Sequence, residues 1–417
     1  MTKITRLLAG AALGLVSAFL PIAHSTAQET VLHVMGWETR HVPGNPVWDK
    51  LVAGFEAEHP GVRVESNVVP ITQYLGTLAA MTAAGTLPDV FFGHVKALEL
   101  GRAGLAVDYT DVMTDEFLDG FSPNLLAQLT TADGAVYALP YTGFAFGIFA
   151  NDRIMTELGL TVPNTWEELI EMAPKIREAG LAPLAWGNLN TGTCRDFVMP
   201  LIAQYGGDAR ALDELTASWD SEPVIQALTL LDRLTKAGVF LDGVNGLDIN
   251  QATQIAYQGR AAMLYGPSRN VGIFQKEAPP DWLENFSVHK MPAVIADGRH
   301  FMAAGSGLAW VVNDKSPNKE LALEFLKYVF SPPVYNDIIA GFNGFPSRPS
   351  AMDAVALPQV REMIQWATED GARNVLYGAG SSDAVDAACQ AILDGSIEPA
   401  AAAAKMQADV LKARGKS

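Results

Sequence analysis

Cysteine is nearly absent: Cys194 and Cys389 are the only two among 417 residues, and they form no CxxC. That excludes a small disulfide-stapled scaffold and a thiolate zinc site, since both need several sulfurs at defined spacings. Whether the two pair is open; as separate buried thiols, the plainer reading, they would serve as small hydrophobes. Positive charge is also short, with 29 Lys and Arg against 46 Asp and Glu and a formal charge of −17. Such a balance opposes the broad basic surface that a phosphate backbone requires, so no nucleic-acid partner is expected. The seven histidines are scattered without ligand spacing. No GxSxG, HExxH, phosphate-cradling P-loop or complete GxGxxG is present, so no motif encodes a catalytic centre, a cofactor or a metal site. The chain does not read as an enzyme. A secreted glycoside hydrolase or lyase stays open as an alternative, because its two carboxylates can stand anywhere in a sequence.

What is present can bury large cores: 49% of the residues are hydrophobic and 18% charged. At roughly 100–200 residues per domain the length fits two or three domains. The first residues carry the three parts of a secretory signal. Lys3 and Arg6 form a positive start, Leu7 to Ala23 an apolar run, and Ser25 and Ala27 supply small residues before Gln28. The run is rich in Gly and Ala, is broken by Pro21, and is short against the about 20 residues of a bilayer span, so cleavage after Ala27 is expected. No Cys near that site offers a lipid attachment, and no later stretch is apolar enough to cross a membrane. The expected product is soluble and periplasmic.

Along the chain, Val31 to Met35 reads as a buried strand stopping at Gly36. A helix opened by Pro46 follows, with Trp48, Leu51, Val52 and Phe55 on one stripe, and Val62 and Val64 alternate with polar residues in a second strand. This β-α-β unit favours a parallel sheet and an α/β fold. Helices at 74–84 and 97–104 flank a third strand at Pro88–Gly93. Two strands are expected at Gly134–Pro140 and Phe144–Ala150, and Thr165 with Glu168 forms a capping box. Strand-like Leu181–Trp186 precedes helices at 195–205 and 222–237. Gly298–Asn313 reads as a Gly-rich strand pair, 317–330 as helix, and 358–414 as mostly helical. No internal repeat appears.

Several stretches, in order, resemble one family. They are Asp133–Tyr141 (DGAVYALPY), Ile148–Asp152 (IFAND), Leu158–Leu169 (LGLTVPNTWEEL), Gln258–Met263 (QGRAAM) with Gly266-Pro267, Ser316–Phe325 (SPNKELALEF), and Asp394–Glu398 (DGSIE). Together they are similar to the bacterial extracellular solute-binding proteins of family 1, the sugar-capturing subunits of ABC importers, across essentially the whole mature chain. Ala150 departs from the family's usual Tyr, so altered packing is expected there. The resemblance implies an α/β, two-lobed periplasmic binding protein fold of type II. Each lobe would be a mostly parallel sheet flanked by helices, and the two would be hinged by three crossings. Strand-Pro signals put the crossings near Leu139–Tyr141, Met291-Pro292 and Ser331–Pro333. The expected division is then residues 1–27 as signal, 28–139 plus 292–331 as one lobe, and 140–291 plus 332–417 as the other.

A sugar offers apolar faces and a rim of hydroxyls, so its site needs aromatic planes and short side chains that donate and accept hydrogen bonds. The loops after strands supply candidates: Trp37, Glu38 and His94 in the first lobe, and Trp186, Asn188, Arg195 and Asp196 in the second. By similarity, Gly266, Ser268 and Arg269 also face the cleft, as do Tyr141, Phe144, Ser306, Gly307, Ser382 and Asp383. Ser268 and Ser382 stand where the maltose-binding branch has bulky aromatics, which implies a smaller or more polar glycan. The expected partners are a carbohydrate ligand and the permease subunits of an ABC transporter, with the chain a monomer. A non-sugar solute such as a polyamine remains an alternative, with Glu38, Asp196 and Asp383 as its carboxylates.

Overall fold

The opening β-α-β unit forms as its residue periods require. In the computed structural model, which describes residues 29–36, 44–93, 96–131, 133–189, 192–342, 344–373, 376 and 378–416, β1 (Thr30–Gly36) and β2 (Val62–Val68) pair in parallel along their whole length. Helix α1 (Pro46–Glu58) connects them. The Asn45 side chain caps it by accepting from the Val47 N–H at 3.1 Å, and Trp48, Leu51 and Phe55 are the buried stripe. β3 (Val90–Phe92) pairs with the other edge of β1.

Two long strands change the expected picture. β4 (Leu139–Asn151) is continuous where two strands were read, and β8 (Met302–Val312) is one strand where a pair was read. Gly134–Ala138 contributes only an isolated bridge between Thr130 and Val136. Pro140 does not stop β4 because it sits beside a bulge, the register shifting on both sides of Thr142, where a missing N–H costs no ladder bond. The remaining strands are β5 (Ala182–Ala185), β6 (Ala261–Pro267), β7 (Phe286–His289), β9 (Phe345–Pro346) and β10 (Gly371–Arg373). Their order is β2-β1-β3-β8-β4-β6-β5, with β10 on β8, and β7 and β9 on β4. The α/β class holds, but the sheet is mixed rather than mostly parallel. The cause is β4 and β8, which take part in every antiparallel pairing among the described strands.

Helices complete two cores. Helix α2 (Trp166–Glu178) starts at the expected capping box, with the Thr165 hydroxyl accepting from the Glu168 N–H at 3.2 Å and the Glu168 carboxylate accepting from the Thr165 N–H at 3.3 Å. Helices α3 (Thr193–Gln204), α4 (Ala209–Asp213) and α5 (Glu222–Lys236) follow. Then come α6 (Pro332–Phe342), α7 (Ser381–Leu393) and α8 (Pro399–Ala413). One core gathers Leu32, Trp48, Phe55, Phe92, Trp310 and Phe325; the other gathers Trp166, Phe197, Leu231, Tyr265, Val385 and Met406. β4 serves both. Its residues up to Ala145 pair with β8 and those from Phe146 pair with β6, while Tyr141 packs in the first core and Phe146 and Ile148 in the second. Ala150 is fully buried in the second core opposite Met263.

The expected division gave residues 332–355 to the second lobe. The apolar face of α6, formed by Tyr335, Ile338 and Ile339, packs in the first core with Ala351 and Val355. The Tyr335 hydroxyl donates to the Tyr141 carbonyl at 2.6 Å, and Lys50 of α1 pairs with Asp337. The cysteines differ from the plainer reading. Cys194 of α3 and Cys389 of α7 form a disulfide, their Cα atoms 6.0 Å apart and both side chains buried in the second core.

Candidate functional site

The polar residues expected at the start of α3 do gather, and they do so against one stripe of α7. Gly192 precedes α3 with φ near +94°, a conformation that favours glycine, and no side chain of its own caps the helix. The cap comes from α7. Asp386 accepts from the Gly192 N–H at 2.8 Å and from the Arg195 N–H at 3.3 Å, satisfying donors that a helix start leaves open. The Arg195 guanidinium donates through Nη1 to Ser382 at 3.1 Å and through Nη2 to Asp196 at 3.4 Å, while its buried Nε has no acceptor among the protein atoms. Burial pushes the Asp386 carboxyl up to about 6; Arg195 and the two N–H donors pull against that rise, and Asp196 adds to it.

A second network locks Asn188 beside this cluster. Asn188 is fully buried, donates to the Asn245 side chain at 2.7 Å and accepts from the Thr193 hydroxyl at 3.1 Å. Asn245 in turn donates to the Gln390 carbonyl at 3.0 Å and to Asp394 at 2.7 Å. Ser382, Asp386, Cys389 and Gln390 are spaced at i, i+4, i+7 and i+8, so every one of these links leaves α7 from the same face. Asp196 is held from β6, where the buried Tyr265 hydroxyl donates to its carbonyl at 2.5 Å.

Other expected site residues lie elsewhere. Trp186 is not a ligand-facing ring. It is fully buried in the second core, stacked on Phe197 with centroids 4.5 Å apart and packed against Phe240. The segment after β5 does not open to solvent because residues 240–247 cover it, Asn188 N–H donating to the Val244 carbonyl at 3.1 Å. Tyr141 is likewise core, ringed by Phe92, Trp310, Phe330 and Tyr335. Phe144 is half-buried against Phe146, and Ser306 and Gly307 lie on β8 beside it. Ser306 is buried with no partner for its hydroxyl, while its N–H donates to Gln128 at 3.3 Å. Gly266 and Ser268 are buried at the end of β6, Arg269 is exposed near Asn250, and Asp383 is exposed on α7. Trp37, Glu38 and His94 lie outside the described residues, as does the signal segment. No His, Cys, Asp and Glu cluster fit for a metal ion occurs among the described residues.

Sequence reasoning missed a cavity of about 410 Å³ lined by Leu118, Asp119, Phe121, Leu126, Thr130 and Arg210, with their neighbours. Its volume lies in the range of small-molecule sites. One wall is the segment 118–131, braced on the first core by Arg348, whose guanidinium lies 4.7 Å from the Phe117 ring centre and 4.6 Å from that of Phe121. The other wall is Arg210 on α4. Asp213 holds α4 to the second core by accepting from the Gly378 N–H at 3.0 Å and pairing with Arg414. The cavity is thus formed by segment 118–131 with one side chain, Arg210, reaching it from α4, and mixes apolar surface with hydroxyl and charged groups. Turn and helix residues of this kind carry no sequence signal. Asp386 did carry one: it stands four residues after Ser382, on the same face of the helix.

The two α/β cores share strand β4. Solved structures share the fold. A chitin oligosaccharide binding protein superposes with a TM-score of 0.76 at 22% identity, covering 91% of this chain and 99% of that one. Maltose-bound MalE3 of T. maritima does so with 0.74 at 21% identity, covering 91% and 99%. The family of bacterial extracellular solute-binding proteins matches residues 41–335, and the chain belongs to it. The multiple sugar-binding protein of Streptococcus mutans is 25% identical over 288 residues, 67% of each chain. The family is an exported one, and no described helix is long and apolar enough to cross a membrane.

Proposed function

We propose that the protein captures a carbohydrate between its two cores and delivers it to the permease of an ABC importer, after export by cleavage behind Ala27. The observation that carries this reading is the family match over most of the chain, joined to a relative named for sugar binding. The cavity supports it. Pro123 and Leu126 suit the apolar face of a pyranose, and Thr130, Thr131, Asp119 and Arg210 suit its hydroxyl rim. The site is then wider than the residues read from sequence, with the Arg195 cluster beside α4 as its second part. Lobe closure would turn on β4 and β8, and the mature chain would act as a monomer.

A thermal-shift panel tests the reading, because a ligand bound only by the folded state raises its stability in proportion to RT ln(1 + [L]/Kd). The panel holds glucose, maltose, melibiose, stachyose, diacetylchitobiose and xylobiose, with putrescine as the polyamine. A rise with one or more sugars is expected. A rise with putrescine alone, or cleavage of a sugar by the purified chain, would overturn it.

A further inference from the structure

We propose that Asp386 is a positioning residue for the ligand site: its carboxylate, reaching across from α7, sets the first turn of α3 and the placement of Arg195, so ligand affinity falls on mild acidification. This rests on the carbohydrate reading and deepens it. The geometry is specific. A helix start normally takes its cap from the residue that precedes it, but Gly192 has no side chain, and the acceptor comes instead from a helix 194 residues later in the chain. That acceptor is ionic, and charge-assisted acceptance from backbone N–H groups is about twice as strong as the neutral kind. Asp386 is bracketed on the same face of α7 by Ser382, which holds the Arg195 guanidinium, and by Cys389, bonded to Cys194 next to Arg195. Three links from one helix therefore converge on residues 192–195, and only Asp386 both holds the backbone and faces the guanidinium charge.

The charged groups acting on Asp386 are Arg195, which favours its ionised form, and Asp196, which opposes it, both on α3. Protonation would leave Gly192 and Arg195 N–H with a weaker acceptor and the Arg195 charge balanced by Asp196 alone. Burial raises the carboxyl to about 6, which sets this change in the mildly acid range rather than near the usual carboxylate value. Arg195 touches the ligand in this scheme and Asp386 does not.

The test compares the parent with Asp386→Asn, disulfide intact, by titration with whichever of the six panel sugars shifts the parent, and by amide exchange at Gly192 and Arg195. The parent's affinity should fall about tenfold from about pH 7.5 to about pH 5, the scale set by weakening one hydrogen bond to a charged group. Asp386→Asn should start at that weaker affinity, lose the pH dependence, and exchange both amides faster. A flat parent profile, or parent-like affinity in Asp386→Asn, would overturn the proposal. Should Asp386→Asn not fold, the parent's own profile and amide exchange across the same range decide it. Should no panel sugar bind, the carbohydrate reading fails, and exchange at Gly192 and Arg195 across the same pH range still decides the positioning role.

Discussion

Opening the Cys194–Cys389 bond should cost the second core about as much stability as emptying one of its large side-chain sites. The bond closes a loop between residues 195 positions apart, and in the chain-entropy description a loop of that size removes about 5 kcal/mol of unfolded-state freedom. Measured bonds more often give about 2–4 kcal/mol, so the expected loss lies between these figures. Both sulfurs are buried, which makes the native bond slow to reduce; the comparison therefore uses Cys194→Ala with Cys389→Ala alongside the parent reduced in denaturant and refolded under reductant. Urea unfolding followed by tryptophan fluorescence reads the difference, Trp186 lying in the same core. The alanine pair adds a small packing loss that the reduced parent lacks, so the two together isolate the bond. If the reduced parent unfolds within about 1 kcal/mol of the oxidised one, α3 and α7 are held by packing alone and the reasoning is wrong.

Three further outcomes follow from the same contacts. Trp186→Ala should lower unfolding stability by about 3–5 kcal/mol, the range for emptying a large core site, so a variant that melts like the parent and only loses sugar affinity would return Trp186 to the ligand site. Arg348→Met should cost about 2–3 kcal/mol in denaturant unfolding, since it removes the cation over Phe117 and Phe121 and leaves the Phe117 and Phe330 carbonyls without their donor. For Asp386, the folded state holds its proton up to about 6 and the unfolded chain only to 3.8. The folded state thus binds more protons between those values, and this carboxyl's share of stability falls by about 3 kcal/mol as pH rises through that window, then stays level. Asp386→Asn should flatten that part of the stability–pH curve; an unchanged slope would place its source elsewhere.

The elements most legible in sequence were those whose signal is local. The stripe of Trp48, Leu51 and Phe55 and the Thr165–Glu168 box each specify a helix from within a few residues, and both formed as read. Strand direction was less legible because it depends on partners distant in the chain: nothing in Phe144–Ala150 says that it continues Leu139 past a bulge and changes partner at Phe146. The site followed the same rule. Asn188, Arg195 and Asp196 were read as candidates because strand ends and helix starts mark themselves, and Ser382 only through the family resemblance. Trp186 was misread because the residues covering it, Phe240 to Leu247, lie far along the chain, and pairing of the two cysteines was hidden by the same distance. The cavity walls could not be read, since Leu118 to Thr131 and Arg210 meet only through two separately anchored segments.

Those anchors bear on how a captured sugar could move the molecule. The wall at 118–131 is tied to the first core by Arg348 and, through Gln128, to the Ser306 N–H of β8. The Arg210 wall is tied to the second core by Asp213, Gly378 and Arg414. A ligand that touches both Arg210 and segment 118–131 therefore pulls on two separately anchored segments, and the strain falls on what joins them. In β4 the backbone at Tyr141 is pinned, its carbonyl accepting from Tyr335 at 2.6 Å and from Ser347 at 3.2 Å. From Phe146 onward it is pinned again by pairing with β6. Between those points lies the bulge at Thr142, where the ladder is already irregular and a bulged strand bends. Closure as proposed should concentrate its backbone change at Thr142–Ala145, with Gly143, whose added Cβ would meet the Phe345 ring at 2.5 Å, kept free of a side chain by that packing.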